Sequence, residues 1–139
     1  GCTINPLSPE DLGTGKVMFE VTDVEGLKTR LSERSHTNFM KVIRESVERS
    51  EEERQEIDYL ALLHMKRSAH TATLSELGLQ LDQSFYLERY GHIGQVDSIL
   101  SIERGVGAKR VKDGDLIVMA SAGFSYAWGA QAIRWGQRR

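Results

Sequence analysis

Cysteine is almost absent from this chain of 139 residues, in which Cys2 is the only one. A single thiol cannot close an internal disulfide, and it excludes a cysteine-rich zinc cage. With two prolines and 13 glycines, the chain is also too poor in both for a collagen-like or linker-like protein. Because the sequence shows no basic and apolar leader either, we expect a cytoplasmic location.

An excess of charge of one sign is also missing. Lys and Arg total 18 and Asp and Glu total 20, so the net charge is −2, which argues against a general nucleic-acid-binding role. The longest uncharged stretch, residues 116–133, is interrupted by serines and glycines. This pattern predicts two buried strands joined by a tight turn rather than a membrane span. We therefore expect neither nucleic acid nor membrane as a partner.

The length suits one domain, and 40% hydrophobic residues suffice for a core. Residues 1–15 hold both prolines and are predicted to be an irregular lead-in, followed by one domain over residues 16–139. The predicted strands are 16–22, 57–63, 84–87, 116–120 and 126–135. The predicted helices are 24–31, 38–50, 65–77 and 93–108, with the acidic run 51–53 as a solvated helix end or start. This alternation indicates an α/β fold with a five-stranded mixed sheet and helices packed on its faces.

Two histidines follow predicted strands, where functional groups of open α/β sheets collect. His64 directly follows the apolar strand 57–63, and His92 lies between Gly91 and Gly94, which permit unusual backbone dihedrals. A histidine in such a place can also simply cap a helix or pack in the core. His36 and His70 lie on predicted helix faces and are interpreted as structural.

Three further features are candidates for chemistry. In the turn 122–125, the backbone N–H groups of Gly123 and Phe124 are placed to face a developing oxyanion. Asp97 lies five residues after His92, slightly off the same helix face, so their pairing is a minor alternative. No ligand spacing supports a zinc site built from Asp97 and the two histidines, and we expect no metal.

Several separated motifs occur in an order that resembles a known family. They are Asp58-Tyr-Leu-Ala-Leu-Leu-His64, Leu77-Gly78-Leu79, Tyr90-Gly91-His92, Lys112-Asp-Gly-Asp115-Leu-Ile-Val, Gly123, and Trp128-Gly129-Ala130 with Arg134-Trp135. Over about residues 57–136 the chain is similar to the C-terminal half of ketoacyl-acyl-carrier-protein synthase III, a thiolase-like condensing enzyme. The resemblance implies a thiolase-like half-domain.

The resemblance also implies a site. The family uses a nucleophilic Cys, with His and Asn that hydrogen-bond the thioester carbonyl and stabilise an enolate. His64 matches the family's His, but the usual His-Gln-Ala-Asn motif is replaced by His64-Met65-Lys66-Arg67. His92 stands where the family has the Asn of Tyr-Gly-Asn, and the glycine-rich turn becomes Gly123-Phe124-Ser125. His92 can still donate one hydrogen bond, but unlike Asn it titrates.

The family's Cys belongs to an N-terminal half, which Cys2 does not match. We therefore expect this chain to be one half of an enzyme, cut from a longer protein or encoded as a split subunit, and inactive alone. Lys66 and Arg67 are candidates to contact the phosphate of a phosphopantetheine arm or an acidic carrier protein, or form a solvated first helical turn. Coenzyme A or phosphopantetheine thioesters are expected as substrates, with no further cofactor.

Two functions stay open at this point. The first is a catalytic half that supplies His64 and His92 for acyl transfer or decarboxylative condensation, in fatty acid or polyketide biosynthesis. The alternative is a non-catalytic half that docks a partner. A stand-alone hydrolase ranks last, because no Ser, Cys or Thr lies in a nucleophile motif. A half-domain of this kind should expose an apolar patch along 93–106 or 65–77 and form a homo-oligomer, such as a dimer.

Overall fold

The computed structural model describes residues 23–50, 56–123 and 126–136. Within these ranges, residues 23–34 group apart from residues 35–136, which contain the sheet and its core. The elements are α1 (Val24–Arg49), β1 (Tyr59–Leu62), α2 (Arg67–Glu76), α3 (Asp97–Gly107), β2 (Leu116–Gly123) and β3 (Ala127–Arg134), with short 3-10 turns at Leu81–Gln83 and Gly94–Val96. None of the described helices is both long and apolar enough to cross a membrane.

The strands form a mixed sheet in the order β1-β2-β3. β1 pairs with β2 in parallel, with Leu60 opposite Val118, and β2 pairs with β3 in antiparallel, with Val118 opposite Ala132. The prediction that residues 116–133 form two strands rather than a membrane span is confirmed. Because β1 and β2 are parallel, their carboxyl ends meet at one edge of the sheet.

Both faces of β1 are buried, and its sequence is accordingly a continuous apolar run. One face packs against α1 and α2 in a cluster formed by Phe39, Ile43, Val47, Leu60, Leu62, Leu74, Leu116, Val118 and Ala120. The other face packs against α3 in a smaller cluster of Tyr59, Ala61, Ile102, Val111 and Ile117. The expectation of helices packed on both faces of the sheet is confirmed.

The expectation of five strands is wrong for the residues that the structure describes, which form three. Residues 84–87 contain no strand. The reason is that carbonyl groups of β1 and of Asp58, the residue before it, are already bonded by side chains on this side. Gln83 Nε2 donates to Asp58 O at 3.2 Å, and Ser84 Oγ donates to Leu60 O at 2.7 Å. The predicted strand 16–22, the lead-in 1–15 and the acidic run 51–53 lie outside the described residues.

The helices mostly follow the sequence pattern, with one difference. Instead of two helices at 24–31 and 38–50, α1 is continuous, because residues 32–37 contain neither Gly nor Pro to end it. α2 falls within the predicted range 65–77, and Gly78 follows it with a φ of 73°, as expected of a helix C-cap. α3 begins at Asp97, later than predicted, after the 3-10 turn.

Apolar side chains are exposed on α3 and in the turn before it, although Glu103 and Arg104 are exposed on the helix as well. Ile99 is 58% exposed, and Ile93, Val96 and Val106 are about half-exposed. Exposed apolar side chains are therefore present along residues 93–106, where the sequence analysis expected an apolar patch, with Glu103 and Arg104 among them. Exposed apolar surface that is contiguous commonly marks an interaction site.

Candidate functional site at the carboxyl ends of strands β1 and β2

The N-terminal end of α3 lies across the carboxyl ends of β1 and β2. The two strands are joined there by the hydrogen bond from Leu63 N–H to Ala120 O, at 3.0 Å. Ser98 Oγ donates to the same carbonyl at 3.5 Å. Asp97 reaches the segment just after β1, since it accepts a bond from His64 N–H. This edge is where the sequence analysis expected function to collect.

Asp97 is the centre of the site. Its side chain is fully buried. Its Oδ2 accepts a hydrogen bond from His64 N–H at 2.9 Å and contacts His92 Nδ1 at 2.6 Å, while Oδ1 accepts from Ile93 N–H at 2.9 Å. The pairing of Asp97 with His92, only a minor alternative from the sequence, is therefore present. One carboxylate thus joins the two segments that carry His64 and His92.

The charge of Asp97 is stabilised by these bonds. Burial alone would raise the pKa of the carboxyl group, but hydrogen bonds from Ile93, the His92 ring and His64 outweigh it, so the pKa lies below its usual value of 3.8. At neutral pH the group is therefore a carboxylate, which only accepts hydrogen bonds.

His92 is held in a turn that glycine makes possible. Gly91 and Gly94 have φ values of 67° and 83°, in the left-handed region where a side chain is strained. The unusual dihedrals expected at these two glycines are confirmed. The His92 side chain is 55% exposed, and within the described part of the chain its second ring nitrogen, Nε2, has no hydrogen-bond partner. Nε2 thus belongs to a half-exposed ring and keeps its hydrogen-bonding capacity free within the described residues.

The ring of His64 is oriented by Tyr86. The two ring centroids lie 5.1 Å apart with the planes tilted by 34°. Tyr86 is itself fixed, because its hydroxyl donates to Met65 O at 3.1 Å. Nδ1 of His64 is buried, and no described group bonds to it. An unpaired buried polar atom costs about 1–3 kcal/mol, so a hydrogen-bonding group from outside the described residues would be favourable here.

The two basic residues after His64 differ in their surroundings. The guanidinium group of Arg67 lies 4.4 Å from the centre of the Tyr86 ring and pairs with Glu88 at 2.8 Å. Lys66 is exposed and directly precedes α2. Arg67 is thus already engaged within this chain, whereas the geometry leaves Lys66 accessible to an incoming anion.

The other two histidines have the surroundings expected of structural residues. His70 is buried and its ring meets Tyr86 edge-on, with centroids 5.3 Å apart. Burial first, and then the charges of Arg67 and His64, lower the pKa of His70 to about 4. His36 lies on the surface, where its Nε2 contacts Glu76 at 2.7 Å.

The predicted oxyanion turn is described only in part. Gly123 is the last residue of β2 and lines a cavity of about 480 Å³ beside Gln95, Ser98 and Ile99. Phe124 lies outside the described residues, as does Cys2. Among the residues that the structure describes, no three His, Cys, Asp or Glu side chains are grouped to hold a metal ion.

Sequence reasoning missed two residues of this site and underrated a third. Tyr86 was placed in a strand, and only its position near a strand end could have suggested a functional contact. Gln95 lies in the 3-10 turn before α3, with Oε1 at 3.4 Å from Ser121 Oγ. Asp97 was underrated because the prediction started the helix at residue 93. Since α3 starts at residue 97, the preceding turn folds His92 back onto its first residue.

A family model described as 3-oxoacyl-[acyl-carrier-protein] synthase III C terminal matches residues 47–135. This is more than half of the chain, and the chain belongs to that family. The resemblance proposed from the sequence is confirmed.

Individual relatives agree with this assignment. The β-ketoacyl-[acyl-carrier-protein] synthase III of Psychromonas ingrahamii is 29% identical over 83 residues, which are 59% of this chain and 26% of the relative. That of Synechococcus elongatus is 31% identical over 85 residues, 60% of this chain and 25% of the relative. This chain therefore spans about a quarter of the length of the curated relatives it matches.

Solved structures share the fold. β-Ketoacyl-[acyl-carrier-protein] synthase III from Thermus thermophilus superimposes with a TM-score of 0.70 and 20% identity, covering 79% of this chain and 35% of that one. The acyltransferase ChlB3 gives a TM-score of 0.61 and 18% identity, covering 96% of this chain and 35% of that one. At these identities the likeness establishes the fold alone.

Proposed function

We propose that this chain is the catalytic C-terminal half of an enzyme that acts on acyl thioesters, by acyl transfer or by decarboxylative condensation. His64 and His92 are its active-site residues, and a second, N-terminal half supplies the nucleophilic Cys. The observation that carries the proposal is the convergence of both histidine segments on one buried carboxylate, Asp97, at the carboxyl edge of the sheet. Membership of the synthase III family supports the same chemistry.

Two features support a missing partner half. Ile99 of α3 and Val96 of the turn before it are exposed to solvent, although such residues are normally turned inward. The site itself has a buried ring nitrogen, Nδ1 of His64, without a described partner. Docking of a second half on this side would bury the apolar face and provide the thiol and further polar groups.

The remaining assignments follow from the same arrangement. Lys66 contacts the phosphate of a coenzyme A or phosphopantetheine thioester, or an acidic carrier protein, because it is exposed directly beyond His64. Arg67 strengthens this contact only if its bond to Glu88 opens. Backbone N–H groups of Gly123 and Phe124 stabilise the oxyanion. No other cofactor is needed for this chemistry.

The exposed face of α3 also favours a second candidate. A half-domain that only docks a partner would need this face but would not need His64 or His92 to be chemically competent. The loss of the Gln and Asn of the family's His-Gln-Ala-Asn motif is compatible with that function. The two candidate functions predict different effects on turnover when the imidazole of His64 or His92 is removed.

The test is to combine the chain with the Cys-bearing N-terminal half of the Thermus thermophilus enzyme and to measure assembly and thioester turnover separately. His64→Ala and His92→Ala should each lower turnover about 100-fold or more, the usual contribution of a general acid or base, while assembly is unchanged. His36→Ala is the matched control and should change neither turnover nor assembly.

Ile99→Lys should prevent assembly, because it places a charge on the apolar face of α3. If the assembly forms and both histidine variants turn over at the wild-type rate, the non-catalytic docking function replaces the catalytic one. Rapid thioester turnover by this chain alone would contradict the need for a second half.

A further inference from the structure

We propose that His92, positioned by Asp97, is a general base that removes the proton of a hydroxyl acceptor, so that the completed enzyme transfers its acyl group to oxygen. This inference rests on the proposed function, since the acyl group must first be carried by the Cys of the partner half. It goes further by naming the class of acceptor.

The position of the proton on His92 follows from Asp97. Nδ1 of His92 lies 2.6 Å from Oδ2 of Asp97, within hydrogen-bond distance of the carboxylate. A carboxylate offers only acceptors. Nδ1 must therefore carry the proton and donate it, which leaves a lone pair on Nε2 in the neutral ring.

The surroundings hold the ring in this state. Asp97 cannot turn away, because its two oxygens also accept bonds from the backbone N–H groups of Ile93 and His64. The backbone of His92 is set by the left-handed residues Gly91 and Gly94. The Nε2 lone pair is thus fixed in direction while the side chain stays half-exposed, so an acceptor can approach it.

A neutral imidazole with its proton on Nδ1 can take up a second proton at Nε2, which a side-chain amide cannot do. An amide donates a hydrogen bond to an oxyanion, which is what stabilising an enolate requires, but it takes up no proton. A hydroxyl group is a weak nucleophile until a base removes its proton. A carbon nucleophile formed by loss of carbon dioxide needs no such base. The His92–Asp97 pair therefore suits an oxygen acceptor better than a malonyl donor.

The step is balanced as follows. The acceptor O–H gives its proton to Nε2 of His92, and the oxygen forms a bond to the carbonyl carbon of the acyl-Cys thioester. The resulting tetrahedral intermediate collapses, the C–S bond breaks, and the thiolate of the partner half leaves. The imidazolium of His92 returns the proton to that thiolate. An ester and a free thiol are formed from an alcohol and a thioester.

The first test needs only this chain. Nitrogen-15 NMR of the imidazole rings should show His92 with its proton on Nδ1 in the wild type. Asp97→Asn should abolish that preference, because an amide no longer requires Nδ1 to donate. Glu103→Gln makes the same change of carboxylate to amide on the exposed side of α3 and should leave the His92 signals unchanged. A His92 ring that carries its proton on Nε2 in the wild type overturns the inference.

The second test uses water as the simplest hydroxyl acceptor, in the assembly with the Cys-bearing half. The Cys is loaded from acetyl coenzyme A, and loss of the acetyl group is followed by intact-protein mass spectrometry. His92→Asn should slow this loss about 100-fold or more, and Asp97→Asn should slow it less. If both variants lose the acetyl group at the wild-type rate, His92 is not the base.

Malonyl coenzyme A separates the failure of this inference from that of the proposed function. The wild type should release little carbon dioxide, and His92→Asn, which introduces the family's residue, should release more. A Cys that is never acylated although the halves assemble refutes the proposed function, and this inference falls with it. Efficient condensation by the acylated wild type refutes the inference alone.

Discussion

Helices α1 and α3 pack on opposite faces of the same sheet, and their own faces are arranged in opposite ways. The part of α1 after residue 34 buries large apolar side chains: Phe39, Met40, Ile43 and Val47. α3 turns small and polar residues inward: Asp97, Ser98, Ser101 and Gly105 are buried beside Ile102. Its apolar residues Ile99 and Val106 point to solvent.

This difference indicates that the two helices have different structural roles. α1 contributes the ordinary stabilisation of a helix that covers one face of a sheet. The inward face of α3 allows close approach to the sheet at Gly105 and carries the carboxylate of the site. Its outward face leaves Ile99 and Val106 exposed beside Glu103 and Arg104, and this is the surface on which the proposed second half would dock.

The largest expected effect comes from equal truncations of the two helices. Ile43→Ala in α1 should lower the free energy of unfolding by about 2–5 kcal/mol, because it leaves a cavity at a fully buried position. Ile99→Ala in α3 should change it by less than about 0.5 kcal/mol, because the side chain is exposed. Urea denaturation of the two variants measures both values. Similar losses would mean that Ile99 is buried in this chain, for instance by self-association.

A second prediction concerns α2, which shares the sheet face with α1 but buries one polar ring, His70. Between pH 6.5 and about 4, His70 is protonated in the unfolded chain but stays neutral in the folded protein. Stability should therefore fall as the pH is lowered through this range, by up to about 3 kcal/mol from this residue.

His70→Phe keeps an aromatic ring beside Tyr86 but cannot titrate, so its free energy of unfolding should depend less on pH in this window. Denaturation at several pH values checks this. An identical pH dependence in the variant and the wild type would show that His70 is not the source.

Substitutions at two glycines of α3 test how closely the inward face of this helix approaches the sheet. A Cβ atom at Gly105 would lie 2.6 Å from Cζ and Oη of the Tyr59 ring, whereas a Cβ at Gly107 meets nothing within 4 Å. Gly105→Ala should therefore cost about 1–3 kcal/mol by overpacking. Gly107→Ala should be neutral or stabilising by up to about 1 kcal/mol, since Ala favours helix. Thermal unfolding of the two variants should separate them, and equal melting temperatures would contradict the close approach.

The smallest effect concerns the polar contact on that face. The hydroxyl of Tyr59 donates to Ser101 O at 2.6 Å in a fully buried position. Burial also raises the pKa of this hydroxyl, so it stays protonated. Tyr59→Phe removes this hydrogen bond and the 3.2 Å contact of the same hydroxyl with Ser101 Oγ, and it should cost about 1 kcal/mol. A variant as stable as the wild type would show that this hydroxyl contributes nothing to holding α3 on the sheet.

The sequence predicted those parts of the fold whose signals are local. The apolar run of β1, the strand pair within residues 116–133 and the C-cap at Gly78 were found because periodicity and turn chemistry act over a few residues. Residues 84–87 were misassigned because a strand also needs a free partner edge. That edge of β1 is occupied by the side chains of Gln83 and Ser84, which no local pattern reveals.

For the candidate site, the sequence by itself determined that His64 follows the apolar run of β1 and that His92 lies between two glycines, and hence that both histidines were worth examining. Only the tertiary structure decided that both segments bind the same carboxylate. Asp97 is 33 residues from His64 and reaches it only because the crossover between parallel strands brings the start of α3 to the end of β1. A contact across that distance depends on where the whole chain returns, and this is set by packing rather than by any local sequence pattern.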